Sequence, residues 1–258
     1  MSTPVVNRAY SSPLFAGKKP NPQAALRLFC FPYGGGGALA YRNWKQSLPQ
    51  EIDLWPIELP GRGKRLRETP LRKMSLVVEI VAEEIVPLLD RPYAFFGHSM
   101  GAIIGFEIAR LLRRKRDYGL THLFVSSHSA PQIPKEPATY NLPDAEFIAE
   151  LQRLNGTPRG VLEHPDLMRM MVPLLRADFE SIQTYSYKHE PPLHCPITAF
   201  GGLWDPDISR ESLEQWREQT TAAFNLRMFP GDHFFLNNEQ ADLLRVIAQE
   251  TYKPKGMF

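Results

Sequence analysis

The stretch YAFFGHSMGAIIGFEIARLL, residues 93–112, changes its hydrophobic period in the middle. Its first four residues form a short apolar, aromatic run of the kind that makes a buried strand. From Met100 onward the apolar residues recur at helical spacing, which predicts a helix from Met100 to Arg114. Between the two lies Gly97-His98-Ser99-Met100-Gly101, a G-x-S-x-G pentapeptide in the strand, turn and helix context of a nucleophile elbow. The spacing has a steric logic. A serine at so sharp a turn sits in strained backbone, and small flanking residues let strand and helix pass closely. The first turn of the helix also brings N–H groups and the positive end of its dipole close to Ser99.

Outward from this segment the same rhythm repeats. Short apolar runs at residues 26–31, 52–59, 93–96, 122–126, 197–200 and 225–229 read as strands, bounded by Gly and Pro. Amphipathic segments fall between most of them: residues 75–89, with Ser75 as the expected N-cap, the segment after Ser99, and residues 239–252. Strands alternating with helices imply an α/β fold with a mostly parallel sheet covered on both faces. Residues 131–190 break the rhythm with Pro-rich turns and helical patterns at 142–154 and 165–187. Because strands resume at Ile197, this stretch reads as a helical lid inserted into one domain, whose core is about residues 24–130 and 191–254. The first twenty-odd residues are polar and proline-punctuated and are expected to lie over the surface or to remain partly mobile.

Composition narrows the function classes. The 30 basic and 28 acidic residues leave a net charge of +2, so no nucleic-acid partner is expected. No apolar stretch approaches the ~18 residues of a membrane span and no signal-like run opens the chain, which makes a cytoplasmic, non-membrane protein the expectation. Cys30 and Cys195 both lie in apolar strand-like runs and read as buried thiols. Neither they nor the histidines show metal-ligand spacing, so no metal and no cofactor are expected. A monomer is the default.

A serine hydroxyl needs a base, and the base needs an orienting group. Of the seven histidines only His233, in the loop PGDHFFL, lies C-terminal to every candidate acid. That fits the chain order Ser, acid, His. His98 reads as a packing residue of the elbow. Asp205, just past the strand in PITAFGGLWD, is the preferred acid, with Asp207 and Asp232 as alternatives. An oxyanion hole would combine the backbone N–H of Met100 with one from the loop Phe31-Pro32-Tyr33-Gly34-Gly35-Gly36-Gly37. The glycine run does not fit a phosphate-binding G-x-x-x-x-G-K-[ST] pattern.

The segments LFCFPYGGGG, LPGRGKR, FFGHSMGAIIGFEIA, LPDAEFIAELQRLNGTP, PLLRADFESIQTY, FGGLWDPD and PGDHFFL together resemble the type II thioesterases that serve polyketide and nonribosomal peptide synthetases. They also resemble the relatives that release medium-chain acyl groups from fatty acid synthase. The resemblance spans about residues 26–236. It implies an α/β-hydrolase fold with a mobile helical lid, Ser99 as nucleophile, Asp205 as acid, His233 as base, and oxyanion donors at Met100 and Gly34. One departure is visible: many members carry His-Ala-Gly-Gly where this chain has Tyr33-Gly34-Gly35-Gly36.

The resemblance also implies the partners, acyl- or peptidyl-carrier proteins bearing phosphopantetheine thioesters. Because carrier proteins are typically acidic, Arg62, Lys64, Arg65 and Arg67 are candidate docking residues, with Arg72 and Lys73 in the same cluster. A second basic cluster, residues 110–116, is a weaker candidate, since basic residues at a helix C-terminus also offset its dipole. Apolar lid residues Phe147, Leu151, Leu154, Met168, Met171, Leu175 and Phe179 are suited to an acyl channel, but helical spacing of this kind more often serves packing, so none is assigned individually. A carboxylesterase, an acyltransferase and a silent carrier-binding module remain alternatives on the same fold.

Overall fold

In the computed structural model, which describes residues 12–15, 18–115, 119–134, 137–156, 160 and 164–251, the apolar runs form one six-stranded sheet. Its strands are β1 (Leu26–Phe31), β2 (Ile52–Pro56), β3 (Tyr93–His98), β4 (Leu120–Ser126), β5 (Ile197–Gly202) and β6 (Phe224–Phe229). Their order is β2-β1-β3-β4-β5-β6, and every neighbouring pair is parallel. Parallel strands need crossovers; short 3-10 turns lie in the one from β1 to β2, helices lie in the others, and a last helix follows β6. The helices are α1 (Met74–Ile85), α2 (Met100–Lys115), α3 (Asp144–Arg153), α4 (Pro165–Gln183), α5 (Arg210–Glu214) and α6 (Gln240–Thr251).

The period of two along each strand divides the core into two layers. Phe29, Phe31, Tyr93, Phe95, Leu123 and Val125 point to the side of α1 and α2. Leu28, Cys30, Ala94, Phe96, Phe124 and Phe200 point to the side of α6, whose Leu243, Leu244 and Ile247 pack against them. Both faces being buried explains why the strands read as unbroken apolar runs. The Phe106–Trp216 edge-to-face pair, centroids 5.2 Å apart, ties α2 to the turn after α5 and adds about 0.5–1.5 kcal/mol beyond area burial. Cys30 and Cys195 are both buried.

Several boundaries differ from the sequence reading, each for a local reason. The expected N-cap Ser75 lies inside α1; the chain enters the helix from Lys73, extended at φ −121°, ψ 124°. Met74 is buried in the core, and that contact outweighs the serine's capping preference. At the other end Pro87 lacks an N–H, so α1 stops at Ile85 and a short tight turn follows. Helix α4 stops at Gln183, short of Tyr187, where the Thr184 hydroxyl donates to the Glu180 carbonyl.

The N-terminal expectation falls mostly outside the described residues. Where it can be compared it is corrected: Leu14 and Phe15 are each 2% exposed. Phe15 packs edge-on against Trp55 at 5.1 Å, and the Leu14 carbonyl accepts the Glu58 N–H. Two large apolar side chains among polar neighbours were enough to draw this segment inward.

Between β4 and β5 the described residues hold α3 and α4 and no named strand. Phe147, Leu151, Met168 and Leu175 form a small core of their own, joined by Phe179 and Met171. This cluster is separate from the two layers on the sheet.

Candidate active site

Ser99 sits where β3 gives way to α2, at φ +52°, a left-handed conformation that non-glycine residues seldom adopt. The strain is held by the Ser99 N–H donating to the Ser126 carbonyl at 2.7 Å, and by Ala102 donating to the Ser99 carbonyl at 2.9 Å. Both flanking glycines are sterically required. A Cβ on Gly97 would collide with the carbonyl of Gly101, and one on Gly101 with the carbonyl of Phe31. β3, α2 and the end of β1 therefore meet backbone to backbone, which places Ser99 beside the glycine loop.

That loop follows β1. Gly36 donates to the Tyr33 carbonyl at 2.9 Å, and Gly35 lies at φ +77°. These are the hydrogen bond and the third-residue conformation of a type II turn, which glycine alone adopts without strain. Gly34 is the second residue of the turn and, with Ser99, Met100 and His233, lines a cavity of about 440 Å³.

The candidate acid and base follow β5 and β6. Asp205 follows β5, and its side chain is 0% exposed. Its Oδ2 lies 2.8 Å from His233 Nδ1, and its Oδ1 accepts the backbone N–H groups of Asp207 and Ile208. An ionised carboxylate can only accept, so this hydrogen bond is donated by His233 Nδ1–H. The His233 carbonyl is held in turn by the Ser127 hydroxyl at 3.1 Å. The alternative acids are engaged elsewhere: Asp207 pairs with Arg153 at 2.8 Å, while Asp232 accepts from Asn155 and from the Phe234 N–H.

His98 is fully buried, with Nδ1 2.9 Å from Ser126 Oγ, and its ring contacts those of Tyr33, His233 and Phe234. Burial, with a smaller contribution from His233, pushes its pKa well below the ordinary histidine value. It is thus a neutral packing ring. Tyr33, where many family members have histidine, lies edge-on to both His98 and Phe234 at the cavity wall.

Of the proposed acyl-channel residues, Leu151, Leu154, Leu175 and Phe179 line this cavity. Phe147 and Met168 do not line it; they pack with Leu151 and Leu175 in the small core of α3 and α4.

The basic clusters required correction. Arg62 is 4% exposed and makes a two-pronged pair with Asp178 of α4, so it offers nothing to a docking partner. Arg65 is turned inward onto Glu68 and the Glu58 carbonyl, while Arg72 meets Glu180 at 2.6 Å. Only Lys64 and Arg67 of the four candidates are exposed. In the second cluster Arg110, Arg113 and Arg114 converge on Glu190, which offsets one of their three charges; Arg116 lies outside the described residues.

The sequence reading missed Asp178 and Ser127. Asp178 carried a signal: it falls four residues after buried Leu174 and three after buried Leu175, on the apolar stripe of α4. A carboxylate on such a stripe requires a buried cation. Ser127 gave none.

The thioesterase-domain profile matches residues 26–251. The chain belongs to the thioesterase family. This thioesterase is 49% identical to the gramicidin S biosynthesis protein GrsT of Aneurinibacillus migulanus, over 92% of its own length and 93% of that protein's. Among solved structures it resembles RedJ, a thioesterase from the prodiginine pathway of Streptomyces coelicolor, with a TM-score of 0.85 and 39% identity. That match covers 90% of this chain and 93% of RedJ. It also resembles the type II thioesterase BorB from the borrelidin cluster, with a TM-score of 0.82 and 33% identity, covering 91% and 96% of the two chains. The thioesterase thus has the α/β-hydrolase fold.

Proposed function

We propose that this thioesterase is a type II editing enzyme that hydrolyses acyl thioesters on the phosphopantetheine arms of acyl- or peptidyl-carrier proteins, through Ser99, His233 and Asp205. One observation supports this reading above the rest. The strained Ser99, a His233 whose Nδ1 is fixed by Asp205, and the glycine loop border one cavity beneath apolar helices.

The geometry suits a two-step acyl transfer. The thioester carbonyl oxygen turns toward the N–H groups of Gly34 and Met100. Ser99 Oγ adds to the carbonyl carbon as His233 Nε2 takes the hydroxyl proton. The tetrahedral intermediate collapses, the C–S bond breaks, and His233 returns the proton to the departing thiolate. Water then enters, gives its proton to His233 and adds to the acyl-serine, which releases the acid and restores Ser99. Asp205 keeps the ring in the right tautomer and stabilises its charged form. The carrier chemistry comes from the family likeness: BorB is a type II thioesterase of a biosynthetic cluster, and GrsT a gramicidin S biosynthesis protein. On this reading the exposed Lys64 and Arg67 steer acidic carrier proteins toward the cavity mouth.

The experiment is hydrolysis of matched acetyl and decanoyl substrates, presented as pantetheine thioesters, carrier-protein thioesters and p-nitrophenyl esters, with Ser99→Ala as control. Faster turnover of the carrier-bound thioesters, abolished in Ser99→Ala, is the expected result. Ester hydrolysis without any carrier preference would overturn the editing assignment and leave the serine mechanism standing.

A further inference from the structure

The glycine loop is braced from below by a buried ion pair that links it to α4. Asp178 Oδ2 accepts the Gly35 N–H at 2.7 Å and also Arg62 Nη1 at 2.9 Å. Asp178 Oδ1 accepts Arg62 Nη2 at 2.8 Å, which completes a bidentate pair. Arg62 Nη1 reaches on to the Gly36 carbonyl at 2.8 Å, and its remaining hydrogen bonds run to the Pro60 carbonyl. Arg62 and Asp178 are 4% and 3% exposed. Consecutive residues of the loop are therefore tied through the same ion pair, one by its N–H and the next by its carbonyl.

We infer that Arg62 and Asp178 are positioning residues for the oxyanion hole: they hold the turn in which Gly34 presents its N–H to the reacting carbonyl. This rests on the reading of Gly34 as an oxyanion donor given above. The Tyr33–Gly36 turn is glycine at its two middle positions, so its own backbone resists rotation weakly. A donor must be preorganised to stabilise developing charge without reorganising during reaction. Here the stiffness that glycine lacks is supplied from outside, by a planar guanidinium and a carboxylate in fixed register. Ser99, His233 and Asp205 make none of these contacts. The ion pair touches no reacting atom, so its effect must pass through the loop.

The test compares Asp178→Asn, Arg62→Lys and the charge-free double variant Arg62→Met/Asp178→Leu with wild type and Ser99→Ala. The assay is hydrolysis of a decanoyl pantetheine thioester. Asp178→Asn is expected to lower kcat by about ten- to hundredfold with KM nearly unchanged, because a small misplacement of a donor affects the transition state selectively. Arg62→Lys keeps the charge but loses the fork, and is expected to fall between Asp178→Asn and wild type.

A second readout separates positioning from mere folding. A decanoyl trifluoromethyl ketone accepts Ser99 Oγ at its carbonyl carbon, with the proton passing to His233 and the carbonyl electron pair moving onto oxygen. Its inhibition constant should rise in step with the loss of kcat/KM, while that of the matching trifluoromethyl alcohol stays constant. Should a single variant fail to fold, the double variant removes both members of the ion pair together, with Arg65 and Lys64 still beside Glu58, and carries the same expectation for kcat. A folded variant lacking the brace, with wild-type kcat and wild-type ketone affinity, overturns the inference. If Ser99→Ala retains activity, the underlying mechanism fails instead, so the two failures are distinguishable.

Discussion

Asp205 Oδ2 lies 2.8 Å from His233 Nδ1, while Oδ1 of the same carboxylate accepts the N–H groups of Asp207 at 3.0 Å and Ile208 at 3.2 Å. The loop after β5 thus holds Asp205 by one oxygen while the other meets the His233 ring. Asp205→Asn keeps the shape but lets an amide NH₂ face Nδ1, which reverses the tautomer and leaves Nε2 unable to accept the Ser99 proton. The expected outcome is a fall in kcat of about three to four orders of magnitude with little change in melting temperature. Asp207→Asn and Asp232→Asn serve as comparisons. Their contacts with Arg153 and Asn155 are partly solvated, worth about 1 kcal/mol or less, and should leave kcat close to wild type. Steady-state kinetics on one thioester with all three variants decides the matter; equal losses would rule out Asp205 as the particular partner of His233.

The elbow glycines make a steric prediction. Gly101→Ala drives a methyl group into the backbone of Phe31 and Pro32, the segment that leads into the glycine loop. Backbone cannot yield as a side chain does, so the substitution should destabilise by at least about 1–3 kcal/mol and lower kcat as well. Gly105→Ala, one helical turn further along α2, meets side chains and not backbone, the Phe31 ring at 3.1 Å and Leu123 at 3.7 Å. Thermal melts and kcat of the two variants should therefore separate clearly. If Gly101→Ala behaved like Gly105→Ala, the close approach of α2 to β1 would be wrong.

Carrier docking makes a prediction confined to the exposed residues. Lys64→Glu/Arg67→Glu should lower kcat/KM for a carrier-bound thioester at low salt, with the difference shrinking as salt screens the interaction. Turnover of a free pantetheine thioester should be unchanged. Equal kcat/KM for the carrier-bound substrate in both proteins at low ionic strength would remove this surface from consideration. Arg62 is no part of this test, since a glutamate there would face Asp178 in the interior.

What the sequence made legible follows from how local each signal is. Strand cores, the elbow at Ser99 and the order of the candidate triad are written in short windows, and the structure places β1 over the expected residues 26–31. Helix ends were less legible, because a tertiary contact such as the burial of Met74 overrides a capping preference worth about 1 kcal/mol. The brace was hidden for a different reason. Arg62 and Asp178 are 116 positions apart, and a basic run such as Arg62-Gly63-Lys64-Arg65 reads as solvated charge until the fold shows which member turns inward. Leu14 and Phe15 illustrate the same limit, since a polar, proline-rich neighbourhood conceals two core residues.

The last prediction concerns stability and pH. His122 of β4 is 2% exposed, stacks on Phe124 at a centroid distance of 4.1 Å, and shares a 2.9 Å hydrogen bond with Thr198 Oγ1 on β5. Burial lowers its pKa from 6.5 to about 4. Burial moves the pKa of His98 in the same direction. In the unfolded chain both rings bind a proton near the ordinary histidine pKa, whereas the folded chain keeps His122 neutral down to about pH 4. Between those values the unfolded state holds more protons, so stability rises with pH. The contribution is complete above the unfolded pKa and disappears as pH falls through the window from 6.5 to about 4. For His122 alone it amounts to roughly 3 kcal/mol over the whole window. His122→Gln can preserve the bond to Thr198 while removing the titration. Its melting temperature relative to wild type should therefore rise as pH falls from 7.5 to 5, giving a shallower fall on acidification. Parallel stability curves for the two proteins across that range would show that His122 titrates alike in the folded and unfolded chains.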